Sequence, residues 1–378
     1  MADVIVHGDT LRTPELRHEV PVGIGDPFVY FEHDGVRHVV LHAMEQPRVS
    51  HLDGLELHPW EEFGIDELRA ANVPSAKARE EIHLRALQRL GVTSAIVPAG
   101  FPVALADKLR AAGIELTVDQ DAFDDRRRVK NAAELAGIRR AQRAAEAGMT
   151  AARDLLRRAE PGDGGLVVDG APLTVERIKA AMVVAFVEAG ASSEEFIVSH
   201  GRQCAIAHHM GEGRIQPNES IVVDVWPKDA ETGCYADMTR TFVVGDPGDE
   251  LRAWHAAVKA SLDRSLDAIR AGAETRDVYD ASCEPIEAIG QPTQRTKEPG
   301  QVLEDGFFHG LGHGVGLDVH EEPGFAIVST GPLRAGDVVT VEPGIYRKGF
   351  GGVRLEDLVL VTDGGYENLT DFPYDLAP

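Results

Sequence analysis

Four carboxylates and one histidine, each inside or beside an apolar run, constrain this chain more than anything else in it. Asp224 lies in IVVDV and Asp237 just before MTRTFVV. His313 lies in HGLGHGVGL, Glu342 in VVTVEPGIY and Glu356 in GGVRLEDLVLV. Carboxylates set among Val, Ile, Leu and Phe are costly to bury unless their charge is compensated. A pair of divalent cations compensates it and reverses the usual pKa logic. Any one such Asp also reads as an edge residue facing water, and the three histidines at 309, 313 and 320 also read as a satisfied polar cluster. All five residues together favour a metal site. An oxygen-rich set with one imidazole suits Mn, Co or Fe, with Zn as an alternative.

The spacing adds to this. Asp224 and Asp237 are thirteen residues apart, with a polar turn (Pro227 to Gly233) between them; Glu342 and Glu356 are fourteen apart, with a Gly-rich turn between them. Both segments read as strand, turn and strand, each strand bringing a carboxylate. This weak internal repeat predicts two hairpins face to face around one pocket. His313 comes from a third strand. Its neighbours Gly310, Gly312, Gly314 and Gly316 let the backbone pass close to something.

These strings resemble the creatinase/aminopeptidase superfamily, and within it the Xaa-Pro aminopeptidase and prolidase branch. The resemblance rests on DMTRT, HGLGH, VEPGIY and GGVRLED and covers roughly residues 125 to 375. It implies an α+β chain whose C-terminal domain has the pita-bread fold: a curved, mostly antiparallel sheet flanked by helices, with a pseudo-twofold repeat. A smaller creatinase-like α/β domain precedes it. By resemblance, Asp237 and Glu356 bridge two metal ions per chain, Asp224 completes one, and His313 with Glu342 completes the other. The stretch between the two Asp ligands is longer than is usual in the family. The extra residues fall in WPKDAETGC and predict a lengthened hairpin turn.

The resemblance also assigns catalytic and substrate roles. The metal pair activates water, and Glu342 takes its proton. His320, in VHEEP, bonds to substrate near the scissile bond. His208, in CAIAHHM, stabilises the oxyanion or leaving group; His209 is the alternative to it. His309 lines the proline side. Arg354 orients Asp224, contacts substrate, or forms a plain ion pair. Thr239 and Arg240 support the ligands from behind. The implied activity is hydrolysis of Xaa-Pro bonds in a peptide or dipeptide, of aminopeptidase P or prolidase type, by a homodimer. Hydrolysis of a non-peptide amide or cyclic amidine, of creatinase or ectoine-hydrolase type, stays open, as does a broad-specificity aminopeptidase.

The chain has 378 residues, 43% of them hydrophobic, and a formal charge of −24. That length suits two domains, expected at 1–125 and 126–378. The acidic charge argues against nucleic acid. No run approaches about eighteen apolar residues, so no membrane span is expected. The N-terminus has no apolar core of a secretory signal. Cys204, Cys234 and Cys283 form neither a disulfide framework nor a zinc pattern, and point to a reducing, cytoplasmic compartment; Cys234 reads as a small buried thiol.

In the first domain, FVYFEHDGVRHVVLH predicts a hairpin. Helices are expected at Glu61–Ala71, Lys77–Leu90 and Pro102–Ala112, with a buried strand in SAIVPAG. Asp124 to Lys130 lacks periodicity and reads as the boundary. His33, His38, His42, His51 and His58 show no common partner set and read as surface or hairpin residues. In the second domain, amphipathic helices are expected from Asn131 to before Pro161, at Thr174–Ala189 and at Leu251–Ala271.

Overall fold

The computed structural model describes residues 2–378. The chain forms two compact units, Met1–Arg127 and Arg128–Pro378. Among the described residues, no helix is long and apolar enough to cross a membrane.

The N-terminal unit is built on six strands: β1 (Val4–Gly8), β2 (Phe28–His33), β3 (Val36–Leu41), β4 (Leu55–Pro59), β5 (Ser94–Val97) and β6 (Glu115–Val118). Their order is β4-β3-β2-β1-β5-β6. The predicted hairpin is β2–β3, antiparallel with Phe31 opposite His38. The remaining neighbours of β3 and β5 run parallel: β3 with β4, and β5 with β6. Side chains alternate between the two faces, and both faces are covered. Ile5, Val29, Phe31 and Val40 pack with Ile82, Leu87, Leu105 and Leu109 from helices Ser75–Arg89 and Val103–Ala111. Val4, Val6, Phe28, Tyr30 and Val39 pack with Leu16, Val49 and Phe123 on the other side.

One local expectation is corrected. The helix expected at Glu61–Ala71 is two pieces, a 3-10 turn at Trp60–Phe63 and a helix at Ile65–Ala70. Gly64 between them sits at φ 84°, which L side chains rarely adopt, and breaks the helical path. The charged stretch from Asp124 is helical, as part of Gln120–Arg128. Arg126 Nε donates to Glu19 Oε1 at 2.8 Å and its guanidinium also reaches Glu32, so these ion pairs, with the single buried Phe123, hold this helix.

The C-terminal unit repeats one arrangement twice: a pair of helices, then a hairpin of buried strands. The first pair is Ala132–Arg157 and Val175–Glu188, and the second is Gly248–Ala268 and Thr275–Ala288; each pair packs together. Asn131 begins the long helix with a capping box. Its side chain accepts from Glu134 N at 2.9 Å, and Glu134 Oε2 accepts from Asn131 N at 2.8 Å. Ile138, Ala141, Ala145, Met149, Ala152 and Leu156 then face inward at helical spacing.

Each helix pair backs its own strands. Met149, Ile178 and Phe186 pack on Val223, Val225 and Phe242. Trp254, Val258, Leu262, Val278 and Ile286 pack on Val339, Val341, Val353 and Val359. The first strand group runs Ile197–His200, Ile221–Val225, Met238–Phe242, all antiparallel. The second runs Glu321–Phe325, Gly312–Gly314, Val338–Val341, Asp357–Thr362, Gly365–Asn368. The hairpin Gly344–Arg347 with Gly351–Arg354 extends from it.

The two hairpins meet side by side, not face to face as the spacing predicted. Glu356 N donates to Thr239 O at 3.1 Å, and Thr241 Oγ1 donates to Arg354 O at 2.8 Å. Buried backbone groups must be paired, and this joint pairs them.

Candidate metal centre

Asp224 lies on the strand Ile221–Val225, opposite Thr239 in the register. Asp237 immediately precedes that partner strand. Glu342 follows Val338–Val341, its N–H donating to Leu311 O at 2.7 Å. Glu356 stands between Arg354 and Asp357, where one hairpin ends and the next strand begins. His313 is in the middle of Gly312–Gly314. The lengthened turn does not disturb this register. It folds back as Lys228–Asp229 paired with Ala191–Ser192, and Arg140 clamps Asp229 with two bonds of 2.9 Å.

The fold gathers these five residues. One ligand atom each from Asp237, His313 and Glu356 lies within 4.8 Å of the others. His313 Nε2 is 3.9 Å from Asp237 Oδ2 and 3.5 Å from Glu342 Oε1. His313 Nδ1 is 3.1 Å from the Gly314 carbonyl, which can only accept, so Nδ1 carries the proton. Its Nε2 lone pair therefore faces carboxylate oxygens, a repulsive arrangement that a cation resolves. Burial and His320 lower His313 to about 4, leaving it neutral and able to ligate.

The carboxylates show the same excess of negative charge. Burial, followed by Glu356, Asp224 and Glu342, pushes Asp237 well above its ordinary range. Burial raises Glu342 to about 8, and burial with Glu342 and Asp224 raises Glu356. Asp237 Oδ1 is buried without a hydrogen-bond partner. Among the described residues, the guanidinium facing the four is that of Arg354, whose Nη2 donates to Asp224 Oδ2 at 2.6 Å. The donor set, the orphaned Asp237 oxygen and the surplus charge fit divalent metal ions.

The supports are ordered. Thr239 Oγ1 donates to Glu356 Oε2 at 2.7 Å. Arg240 donates from Nη1 to Thr239 O at 2.9 Å and Glu356 O at 2.6 Å, and from Nη2 to Asp357 Oδ1 at 3.0 Å. The Arg354 bond to Asp224 is common to the orienting role and the ion-pair role expected of it. The glycines beside His313 admit neighbouring strands: a Cβ at Gly312 would overlap Thr340 O, and one at Gly314 would overlap Glu322 O.

The other predicted histidines surround this cluster. His320 is exposed, its ring 4.2 Å from that of His313 and tilted by 69°. His208 is also exposed; burial and then Arg354 lower His309, and burial lowers His320. His209 Nδ1 accepts from Gly211 N at 3.0 Å, a local turn contact. His309 Nδ1 faces the Gly310 carbonyl at 2.7 Å, so its Nε2 accepts from Tyr346 Oη at 2.9 Å. Arg354 Nη1 donates to the same Tyr346 oxygen at 2.9 Å. Tyr346 was not singled out from the sequence, although it closes VEPGIY. Lys130 and Glu321 form a buried ion pair next to His320, also unmarked in the sequence. Cys234 is fully buried, and burial raises its thiol to about 12. In the N-terminal unit, one ligand atom each from His38, Glu56 and His58 lies within 4.8 Å of the others, a grouping not expected from the sequence.

The profile of Metallopeptidase family M24 matches residues 136–363. An Xaa-Pro dipeptidase of Pyrococcus furiosus is 34% identical over 176 residues, 46% of each chain. The chain spans about half the length of the curated relatives it matches first. Among solved structures, an Xaa-Pro dipeptidase from Bacillus anthracis superposes with TM-score 0.80 at 23% identity. It covers 100% of this chain and 94% of the other. An X-Pro aminopeptidase from Thermotoga maritima superposes with TM-score 0.78 at 21% identity, covering 99% and 97%. At these identities the superpositions establish a shared fold.

Proposed function

Because the chain belongs to metallopeptidase family M24, with the pita-bread architecture of its structural relatives, we propose that it is a dinuclear metal-dependent peptidase acting on Xaa-Pro bonds. The observation that carries this reading is the cluster of four carboxylates around His313, three of them buried and Glu342 partly so, faced by the Arg354 guanidinium. Asp237 and Glu356 would bridge two ions, Asp224 would complete one, and His313 with Glu342 the other. The oxygen-rich set supports Mn or Co over Zn or Fe. Bound there, two such ions would supply an acidified water and positive charge for a developing oxyanion.

The chain's own residues do the rest. Glu342 accepts a proton as the nucleophile forms. His320, exposed beside His313, is placed to hydrogen-bond the substrate at the scissile bond. His208 offers a second imidazole for the oxyanion or leaving group. His309 is held neutral by burial and by Arg354, which lower it to about 3. Its ring, fixed by Tyr346 and Gly310, borders the proline side. Arg354 holds Asp224 in place. Catalysis is assigned to residues 126–378. The three buried, unpaired cysteines support a reducing cytoplasm, and the family resemblance supports a homodimer.

Proline at the second position removes the scissile amide hydrogen and fixes φ. A site for it must not depend on that hydrogen and needs a shaped slot. The test pairs metal analysis with rates on Ala-Pro and Ala-Ala peptides. The proposal expects about two ions per chain, inactivation by chelators, and at least roughly tenfold faster cleavage of the proline substrates. Full activity after complete metal removal would sink it. Equal rates with metals bound would favour a broad-specificity or non-peptide hydrolase.

A further inference from the structure

We propose that the edge of the N-terminal sheet binds one Zn²⁺ ion on His38, Glu56 and His58. All three belong to β3 and β4. These strands run parallel, with His38 opposite Glu56 and Val40 opposite His58. The two-residue period of a strand puts the three side chains on one face.

Their atoms converge. His38 Nδ1 is 3.1 Å from His58 Nε2 and 3.5 Å from Glu56 Oε2. All three candidate ligand atoms lie within 4.8 Å of one another. Tetrahedral zinc, with bonds of about 2.0–2.1 Å, separates its ligand atoms by about 3.3–3.4 Å. The two observed separations fall on either side of that value.

The rings are also oriented for it. His58 Nδ1 is 3.0 Å from Glu62 Oε2. A carboxylate accepts, so the proton sits on Nδ1 and the Nε2 lone pair is directed at His38. A carboxylate behind a histidine is the arrangement that fixes tautomer and ring direction in metal sites. On the other side of His38, the Phe31 ring stacks at 4.8 Å and 20°. Burial and the neighbouring His58 favour the neutral form of His38, which is the ligating form. Glu56 is 61% exposed at its side chain, leaving room for water as a fourth ligand.

Two imidazoles and one carboxylate favour Zn²⁺ over Mn²⁺. This site therefore differs in metal preference from the oxygen-rich cluster of the C-terminal unit. The full chain, stripped of metal, is dialysed against Zn²⁺ alone or Mn²⁺ alone and its metal counted by mass spectrometry. Wild type should hold one more Zn²⁺ per chain than His58→Gln or Glu56→Ala, with equal Mn²⁺ in all three. Glu62→Gln should weaken zinc binding about 10–100-fold. The comparison is a difference between variants, so it stands whatever number of ions the C-terminal cluster takes. Equal zinc in folded wild type and folded His58→Gln would overturn the proposal and leave a hydrogen-bonded histidine pair. Should His58→Gln fail to fold, the exposed Glu56→Ala decides on the same criterion.

Discussion

Replacing Tyr346 with Phe deletes one hydroxyl and keeps the ring. That oxygen receives Arg354 Nη1 at 2.9 Å and donates to His309 Nε2 at 2.9 Å. Burial holds the phenol up at about 12, so it remains a donor at neutral pH. The residue is fully buried. In the variant a guanidinium N–H and an imidazole lone pair both lose a partner. Each stranded group costs about 1–3 kcal/mol, the charged one toward the upper end. Arg354 keeps its 2.6 Å bond to Asp224, which limits its share. The expected loss is therefore about 2–4 kcal/mol, read as a lowered midpoint in urea. Metal content should not change, because neither lost bond involves a proposed ligand. His309, no longer fixed through Nε2, should discriminate proline less well, so the Ala-Pro to Ala-Ala rate ratio should fall. A stability loss under about 0.5 kcal/mol, within the range of ordinary surface changes, would refute the relay from Arg354 to His309.

Asp237→Ala or Glu356→Ala should bring metal content toward zero and lower kcat/KM by several orders of magnitude, since each is assigned to both ions; retention of both ions at wild-type affinity would remove that assignment. His320→Ala and His208→Ala should lower kcat by about 10²–10⁴ while metal content stays, and metal loss in either would move that histidine among the ligands. His83 is buried, and burial with His7 and Arg79 lowers it well below 6.5. The unfolded chain takes up that proton near pH 6.5 and the folded chain resists it, so stability should fall as pH drops below 6.5. His83→Leu should flatten this part of the pH–stability curve, and an unchanged acid slope would show that His83 does not cause it.

The cluster of carboxylates around His313 was legible because its cost is local. A carboxylate among Val and Ile is visible in a ten-residue window, and its need for a counter-charge follows from burial alone. The long helix from Asn131 was legible for similar reasons: cap, spacing and stop all lie within it. What escaped depends on partners far away in the chain. Gln120–Arg128 shows no apolar period, and the carboxylates that hold Arg126 are Glu19 and Glu32. His38 and His58 meet through the parallel register of β3 and β4, which the nineteen residues between them do not specify. Tyr346 reaches Arg354 because Gly344 pairs with Arg354 across a hairpin. The glycine run around His313 was read correctly as a close approach, but not as an approach of strand to strand.

The joint between the two halves explains why the supports matter as much as the ligands. Each half has its own helix pair and apolar core, and a third cluster packs Ile138 and Ala236 of one half with Val315 and Leu358 of the other. The bonds between Thr239, Thr241, Arg354 and Glu356 add a joint at the carboxylates themselves. Glu356 N reaches Thr239 O, while Thr239 Oγ1 reaches the Glu356 carboxylate. Thr241 Oγ1 donates to Arg354 O at 2.8 Å and accepts from Arg354 N at 3.0 Å. Arg240, buried beneath, ties the carbonyls of Thr239 and Glu356 with a single Nη1. The strand segments that join the halves thus lie next to the carboxylates, and a shift of one half would pull the ligands apart. Substrate-independent rigidity of this kind is what metal sites require of the groups behind their ligands. It also accounts for the threonines and arginine of DMTRT, whose hydrogen bonds set where the carboxylates stand.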